Sequence, residues 1–167
     1  LALPERQTAW TLLERCHRSL GQWEEAAVAA EEIVRLDPDE TGPRIIASYD
    51  WLAAGDAARA ARHLTGAAEI QESVDTRLLL AQAQLERQRA LPVGEQKWED
   101  FLDNLSKLKD QHAERPLANA WRLVLLQAAY DLAAAGPDQT GKRDQAREAL
   151  RQAERDDPES AALMKQL

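Results

Sequence analysis

Cysteine is nearly absent from this chain: Cys16 stands alone, so no internal disulfide can form. That leaves the compartment open, because many exported proteins also lack disulfides. Glycine is scarce and scattered, seven residues with no cluster, which excludes a phosphate-cradling loop. The three histidines, His17, His63 and His112, are too far apart for the usual zinc spacing. No metal site and no cofactor is therefore expected. β-branched residues are sparse and never alternate, which argues against strands. No apolar stretch approaches the roughly 20 residues of a membrane-spanning helix, and no signal peptide is visible. Runs of lysine and arginine are lacking too. With a net charge of −8 the surface repels phosphate backbones, so nucleic acid is a poor partner.

What is present is helix-forming. Alanine, leucine, glutamate, glutamine and arginine dominate, and all favour helices. At 167 residues and 44% hydrophobic content the chain can bury a sizeable core and is no disordered tail. These features place it in the all-α class. The chain opens at Leu1 rather than methionine, as a processed or excised piece would. Arginine outnumbers lysine by 16 to 5, which with the alanine content is the association left by a GC-rich, often bacterial, genome.

The strongest signal is internal repetition. Leu13, Ala47 and Ala81 stand 34 residues apart, and so do Trp10, Arg44 and Leu78. His17, Trp51 and Leu85 share the step, as do the pairs Gly21 and Gly55, Ala26 and Ala60, and Leu36 and Ile70. Each position has a physical reason. Ala26 and Ala60 sit where two helices come close and a larger side chain would separate them. Gly21 and Gly55 fit the position just past a helix end, where a left-handed backbone costs glycine little. Pro38 cannot continue a helix and stops one. Pro43 suits a first turn, with Thr41 as its expected N-cap, and Asp56 can cap the helix after Gly55.

A 34-residue period of helix pairs is the spacing of tetratricopeptide repeats. The first unit resembles that family: Trp10-x-x-Leu13 opens helix A, Gly21 ends it, and Ala26, Ala30 and Ile33 line helix B before Leu36-Asp37-Pro38. Glu14 and His17 depart from the family's glycine and tyrosine. The resemblance implies a right-handed α-solenoid of about four helix-turn-helix units plus a C-terminal helix. The units fall at approximately 7–40, 41–74, 75–114 and 115–158, with the terminal helix at 159–167, in a single domain 1–167. The third unit places Leu78, Ala81 and Leu85 on helix A and Phe101, Leu105 and Leu108 on helix B. Strict spacing would put Phe101 at 94, so about seven residues are inserted near Leu91-Pro92-Val93-Gly94. The fourth carries Trp121, Leu125, Ala128 and Leu132, a Gly136-Pro137 break, then Ala146, Leu150 and Ala153, with Asp157-Pro158 echoing Asp37-Pro38. The insertions at 88–96 and 133–142 both fall at turns between paired helices, where loops lengthen at low cost.

Candidate catalytic residues are weak. Cys16 and His17 are neighbours, but adjacent helical residues point about 100° apart and cannot pair as nucleophile and base. The paired carboxylates Glu24-Glu25 and Glu31-Glu32 read as solvated faces and first-turn charges. No enzyme is expected. The five tryptophans, Trp10, Trp23, Trp51, Trp98 and Trp121, read as core packing, with Trp98 beside the insertion the most exposed.

In the tetratricopeptide family the A helices line a concave surface that receives a peptide or helix. The resemblance implies groove positions at Thr8, Thr11, Arg15 and Arg18 in unit one, Ile45, Tyr49 and Leu52 in unit two, and Thr76, Leu79, Ala83 and Glu86 in unit three. Spacings of three and four put each set on one helix face. Ile45, Tyr49, Leu52 and Leu79 form an apolar strip opposite the packing set of Leu13 and His17, and exposed apolar strips mark interaction sites. The family's lysine and asparagine carboxylate clamp is not matched, since Thr11, Arg15 and Ile45 hold those positions. The expected function is a scaffold that binds a helical or extended protein segment in this groove, with Arg15 and Arg18 favouring an acidic group. The alternative is a self-association module, possible as a homo-oligomer, or the interaction domain of a larger bacterial envelope or export protein.

Overall fold

The structure is a computed structural model that describes residues 2–114, 120–134 and 140–156. Eight α-helices occur among them: α1 (Leu3–Ser19), α2 (Trp23–Leu36), α3 (Thr41–Ala53), α4 (Ala57–Ile70), α5 (Val74–Arg89), α6 (Glu99–Glu114), α7 (Ala120–Ala134) and α8 (Thr140–Asp156). A single 3-10 turn spans Val93–Glu95 and no strand is present among the described residues. The all-α class is thus borne out. The architecture is repeat-like: α2 and α4 begin 34 residues apart at Trp23 and Ala57 and end 34 apart at Leu36 and Ile70.

Local chemistry sets these boundaries. Gly21 and Gly55 carry φ angles of 71° and 84°, which L side chains rarely adopt, and each directly follows the C-cap residue of α1 or α3. The Gln22 amide reaches back to the His17 carbonyl, and the Asp56 amide to the Trp51 carbonyl, so the two turns close in the same way. The Asp56 carboxylate accepts from the Arg59 amide at 2.9 Å, which is the expected cap of α4. The cap of α3 differs from expectation. Glu40 is its N-cap, Thr41 is already helical, and no side chain makes the capping bond.

The chain divides into two compact units, Leu1–Arg87 and Gln88–Leu167, with the cut inside α5. In the first, α1 packs on α2, α2 on α3 and α3 on α4. Its core is made of small residues around one large ring. Ala27, Ala60, Ala61 and Ala83 surround Trp51, Leu64, Leu79 and Leu80, and Ile45 and Leu52 lean against that cluster. Ala26 and Ala60 are fully buried, as the close approach of paired helices requires. Leu78, Ala81 and Leu85 are buried too.

In the second unit α6 packs on α7 and α7 on α8. Phe101, Leu105 and Leu108 of α6 are buried, with Leu123, Leu126 and Ala128 of α7 and Ala146 of α8. Phe101 stacks on Tyr130 with ring centroids 5.6 Å apart, and Trp98 meets both rings edge-on. The insertion before α6 is braced: the Gln88 side chain accepts from the Lys97 amide at 2.7 Å, and Gln96 donates to the Leu91 carbonyl at 3.1 Å. The side chains of Trp121, Leu125, Leu150 and Ala153, the Gly136-Pro137 break, and the expected terminal helix at 159–167 lie outside the described residues.

Candidate interaction surface

The groove positions separate by helix into three groups. On α1, Thr11 is half-buried and its hydroxyl donates to the Gln7 carbonyl at 2.9 Å, so it is spent within its own helix. Arg15 is exposed, and Arg18 is half-buried. On α3, Ile45 and Leu52 are half-buried against the core while Tyr49 is 49% exposed. On α5, Leu79 and Ala83 are buried within the core and offer no free surface. Thr76 is buried as well, with its amide and hydroxyl both held by the Ser73 hydroxyl. The expected apolar strip therefore stops at α3. Leu79 points into the cluster with Trp51 because this helix is hydrophobic on several sides and packing decides which side is covered.

Between α1 and α3 lies a charged joint that helical spacing alone does not reveal. The Arg18 Nε donates to Asp50 Oδ1 at 3.0 Å, and its Nη2 stands 2.7 Å from Glu14 Oε1. Both carboxylates are nearly inaccessible to water, 3% for Glu14 and 1% for Asp50. One guanidinium cannot fully compensate two buried carboxylates. Desolvation pushes the Glu14 carboxyl above its ordinary range against the pull of Arg18, and the Asp50 charge and a hydrogen bond to Asp50 raise it further. Arg18 is therefore committed to holding the two helices, and Arg15 is the freer cation of the pair.

A second polar joint links α2 to α3 and α4. Glu31 Oε1 accepts from Trp51 Nε1 at 3.0 Å and meets His63 Nε2 at 3.0 Å. The Arg59 guanidinium lies 4.2 Å over the Trp51 ring. Burial alone would raise the Glu31 carboxyl, but the bonds from His63 and Trp51, with the charges of His63 and Arg59, outweigh it and leave it lowered.

The packing set on the first hairpin behaves differently from expectation. Leu13 is 44% exposed, and Trp23, expected in the core, is exposed where Trp98 is only half-buried. Leu3, Leu12, Leu20 and Val28 are exposed on the same hairpin. The equivalent of Leu13 in the second hairpin, Ala47, is fully buried. Residue type is not the cause: α2 packs against α3, and Ala47 lies on that helix. Trp10, Leu13, His17, Val28 and Ala29 instead line an open groove of about 320 Å³, with Glu24 and Glu25 beside them.

Cys16 is exposed, and the His17 ring is bonded through Nδ1 to Gln22 Oε1 at 2.7 Å rather than to the thiol. Among the described residues no three His, Cys, Asp or Glu side chains gather to hold a metal ion, and no helix is long and apolar enough to cross a membrane. Comparison with protein-family models and with curated proteins finds no match to this chain.

Proposed function

We propose that this chain is a protein-binding module of the tetratricopeptide type, whose first and third helices receive a partner segment. The observation that carries the reading is Tyr49: a large ring left half-exposed, with Ile45 and Leu52 one helical turn to either side. Aromatic side chains with an apolar body and a polar tip anchor protein contacts at little entropic cost. Arg15, exposed on α1, supplies a cation free to pair with an acidic group of that segment. The 34-residue repetition of helix boundaries supports a stack of paired helices as the frame.

Ile45 and Leu52 lean on the core, so truncating them would confuse binding with stability. Tyr49→Ala and Arg15→Glu act at the surface. Tyr49→Ala is expected to weaken capture of a partner by about 2 kcal/mol, the scale of an aromatic anchor, with unchanged helicity by circular dichroism. The measurement is a pull-down with the variant as control, followed by titration of the captured segment. Equal affinity for both proteins would remove the α1–α3 surface as the binding site.

A further inference from the structure

The joint between α1 and α3 is one positive charge short. The Arg18 guanidinium bonds Asp50 Oδ1 and pairs with Glu14, so it serves two carboxylates in a place that water barely reaches. With both carboxyls ionised, a surplus negative charge would stand out of water, at a cost that pairing with Arg18 does not offset. The geometry shows where relief lies. Asp50 Oδ2 is buried and takes no hydrogen bond from an N–H or hydroxyl group of the described residues. The Glu14 carboxyl is within hydrogen-bonding reach of Asp50. Two carboxylates have no hydrogen to share, whereas a protonated carboxyl donates to an ionised one.

The surrounding charges leave that deficit in place. Arg15, on the same helix as Glu14, is exposed, and water screens it. On α2, Glu24 and Glu25 border Trp10, Leu13 and His17 instead, Glu31 is held by Trp51 and His63, and Glu32 pairs with Arg35. On α4, Arg59 lies over Trp51 and His63 meets Glu31. Desolvation foremost, with the Asp50 charge and hydrogen bond, holds the Glu14 carboxyl above its ordinary range against Arg18 and Arg15.

We propose that Glu14 keeps a proton, donated to Asp50, and that this proton is a switch on the α1–α3 joint. With it, Arg18 compensates the one remaining charge and α1 is fastened to α3. When it leaves for solvent, like charges face each other across the joint and α1 loosens. Arg15 follows Glu14 in the chain and Tyr49 precedes Asp50, so the same step alters the surface around Tyr49. That consequence for binding rests on the function proposed above, whereas the switch itself is read without a partner.

The test follows side-chain carboxyl carbon shifts of the full chain by NMR from about pH 3 to 8, the span that brackets carboxylate titration. Glu14 should titrate above 4.5, and the Asp50 carbon should register the same step. Glu14→Gln keeps a donor facing Asp50 at every pH. The amide shifts of Arg15 and Tyr49 should therefore move with the step in the unaltered chain and stay still in that variant. Exchange of α1 amides, corrected for its intrinsic pH dependence, should rise by up to about tenfold per pH unit between 4.5 and the folded midpoint and then level off. Glu14→Gln should hold it flat. Asp50→Asn leaves Arg18 a single carboxylate to serve, so the Glu14 step should move to lower pH. The unaltered chain and Glu14→Gln decide the matter even where Asp50→Asn fails to fold. A Glu14 step at or below 4.5, a step unmoved by Asp50→Asn, or Arg15 and Tyr49 shifts that ignore it would each overturn the proposal.

Discussion

The helices of Leu1–Arg87 and those of Gln88–Leu167 solve one problem, burying a face of every helix, with different side chains. The first unit brings helices together over alanines and fills the remaining space with Trp51, Leu64, Leu79 and Leu80. The second holds α6 on α7 with Phe101, Leu105, Leu108, Leu123 and Leu126, and joins Phe101, Trp98 and Tyr130 in an aromatic trio. Small side chains fix a close interhelical distance, and that distance repeats only if the residue spacing repeats. The contrast accompanies a 34-residue step that relates α2 to α4 and lapses at the braced insertion before α6.

The sharpest way to break this comparison is to remove one fully buried ring from each unit. Trp51→Ala and Phe101→Ala should each cost about 3–5 kcal/mol. Hydrogen exchange read peptide by peptide should show lost protection in α2–α5 for the first and in α6–α7 for the second. Loss of protection throughout the chain in both variants would mean that the two units unfold as one.

Enlarging a small residue is the next largest effect. Ala60→Leu, at a fully buried position where α3 and α4 pack, should cost about 1–3 kcal/mol in urea unfolding. Ala58→Leu, two residues away and exposed, should cost almost nothing. Similar losses for both would show that close helix approach is not what alanine secures here.

The smallest effect is a gain. The Glu14 carboxyl is raised, so its ionisation opposes folding: the stability it contributes is complete below its ordinary value of 4.5 and is lost as pH rises through the folded value. Glu14→Gln should stabilise the first unit by up to about 1 kcal/mol at neutral pH and flatten that loss. Glu31 has the opposite sign. Its carboxyl is lowered, so its contribution is present above 4.5 and disappears as pH falls through the folded value. Glu31→Gln should therefore weaken the chain at neutral pH and remove part of its acid sensitivity. Urea titrations of both variants from pH 3 to 7, about the span where carboxylates titrate, check the two signs. A destabilised Glu14→Gln would mean that the pair with Arg18 outweighs the burial of charge.

Particular residues mark how far the sequence could be read. Gly21, Gly55, Pro38 and Asp56 announce helix ends because their reasons are local: a left-handed backbone, a missing amide hydrogen, a short carboxylate. Thr41 misled at the start of α3, since a residue suited to capping was drawn into the first turn. The core positions Ala26, Ala60, Phe101 and Leu105 were legible from spacing. The surface was read less well. Leu79 and Ala83 share the helical register of Ile45 and Tyr49 by number but are covered, and Leu13 shares that of Ala47 but is open. Glu14 and Arg18 have the i,i+4 spacing of one helix, but their joint with Asp50 left no sequence signal, because that contact crosses from α1 to α3.

The sequence by itself determined the all-helical class, the turns and the period, since propensity, caps and spacing act over a few residues. Only the tertiary structure decided which apolar faces stay open and which carboxylates are buried. Exposure depends on which helix packs alongside, and neither residue type nor register encodes the presence of that neighbour.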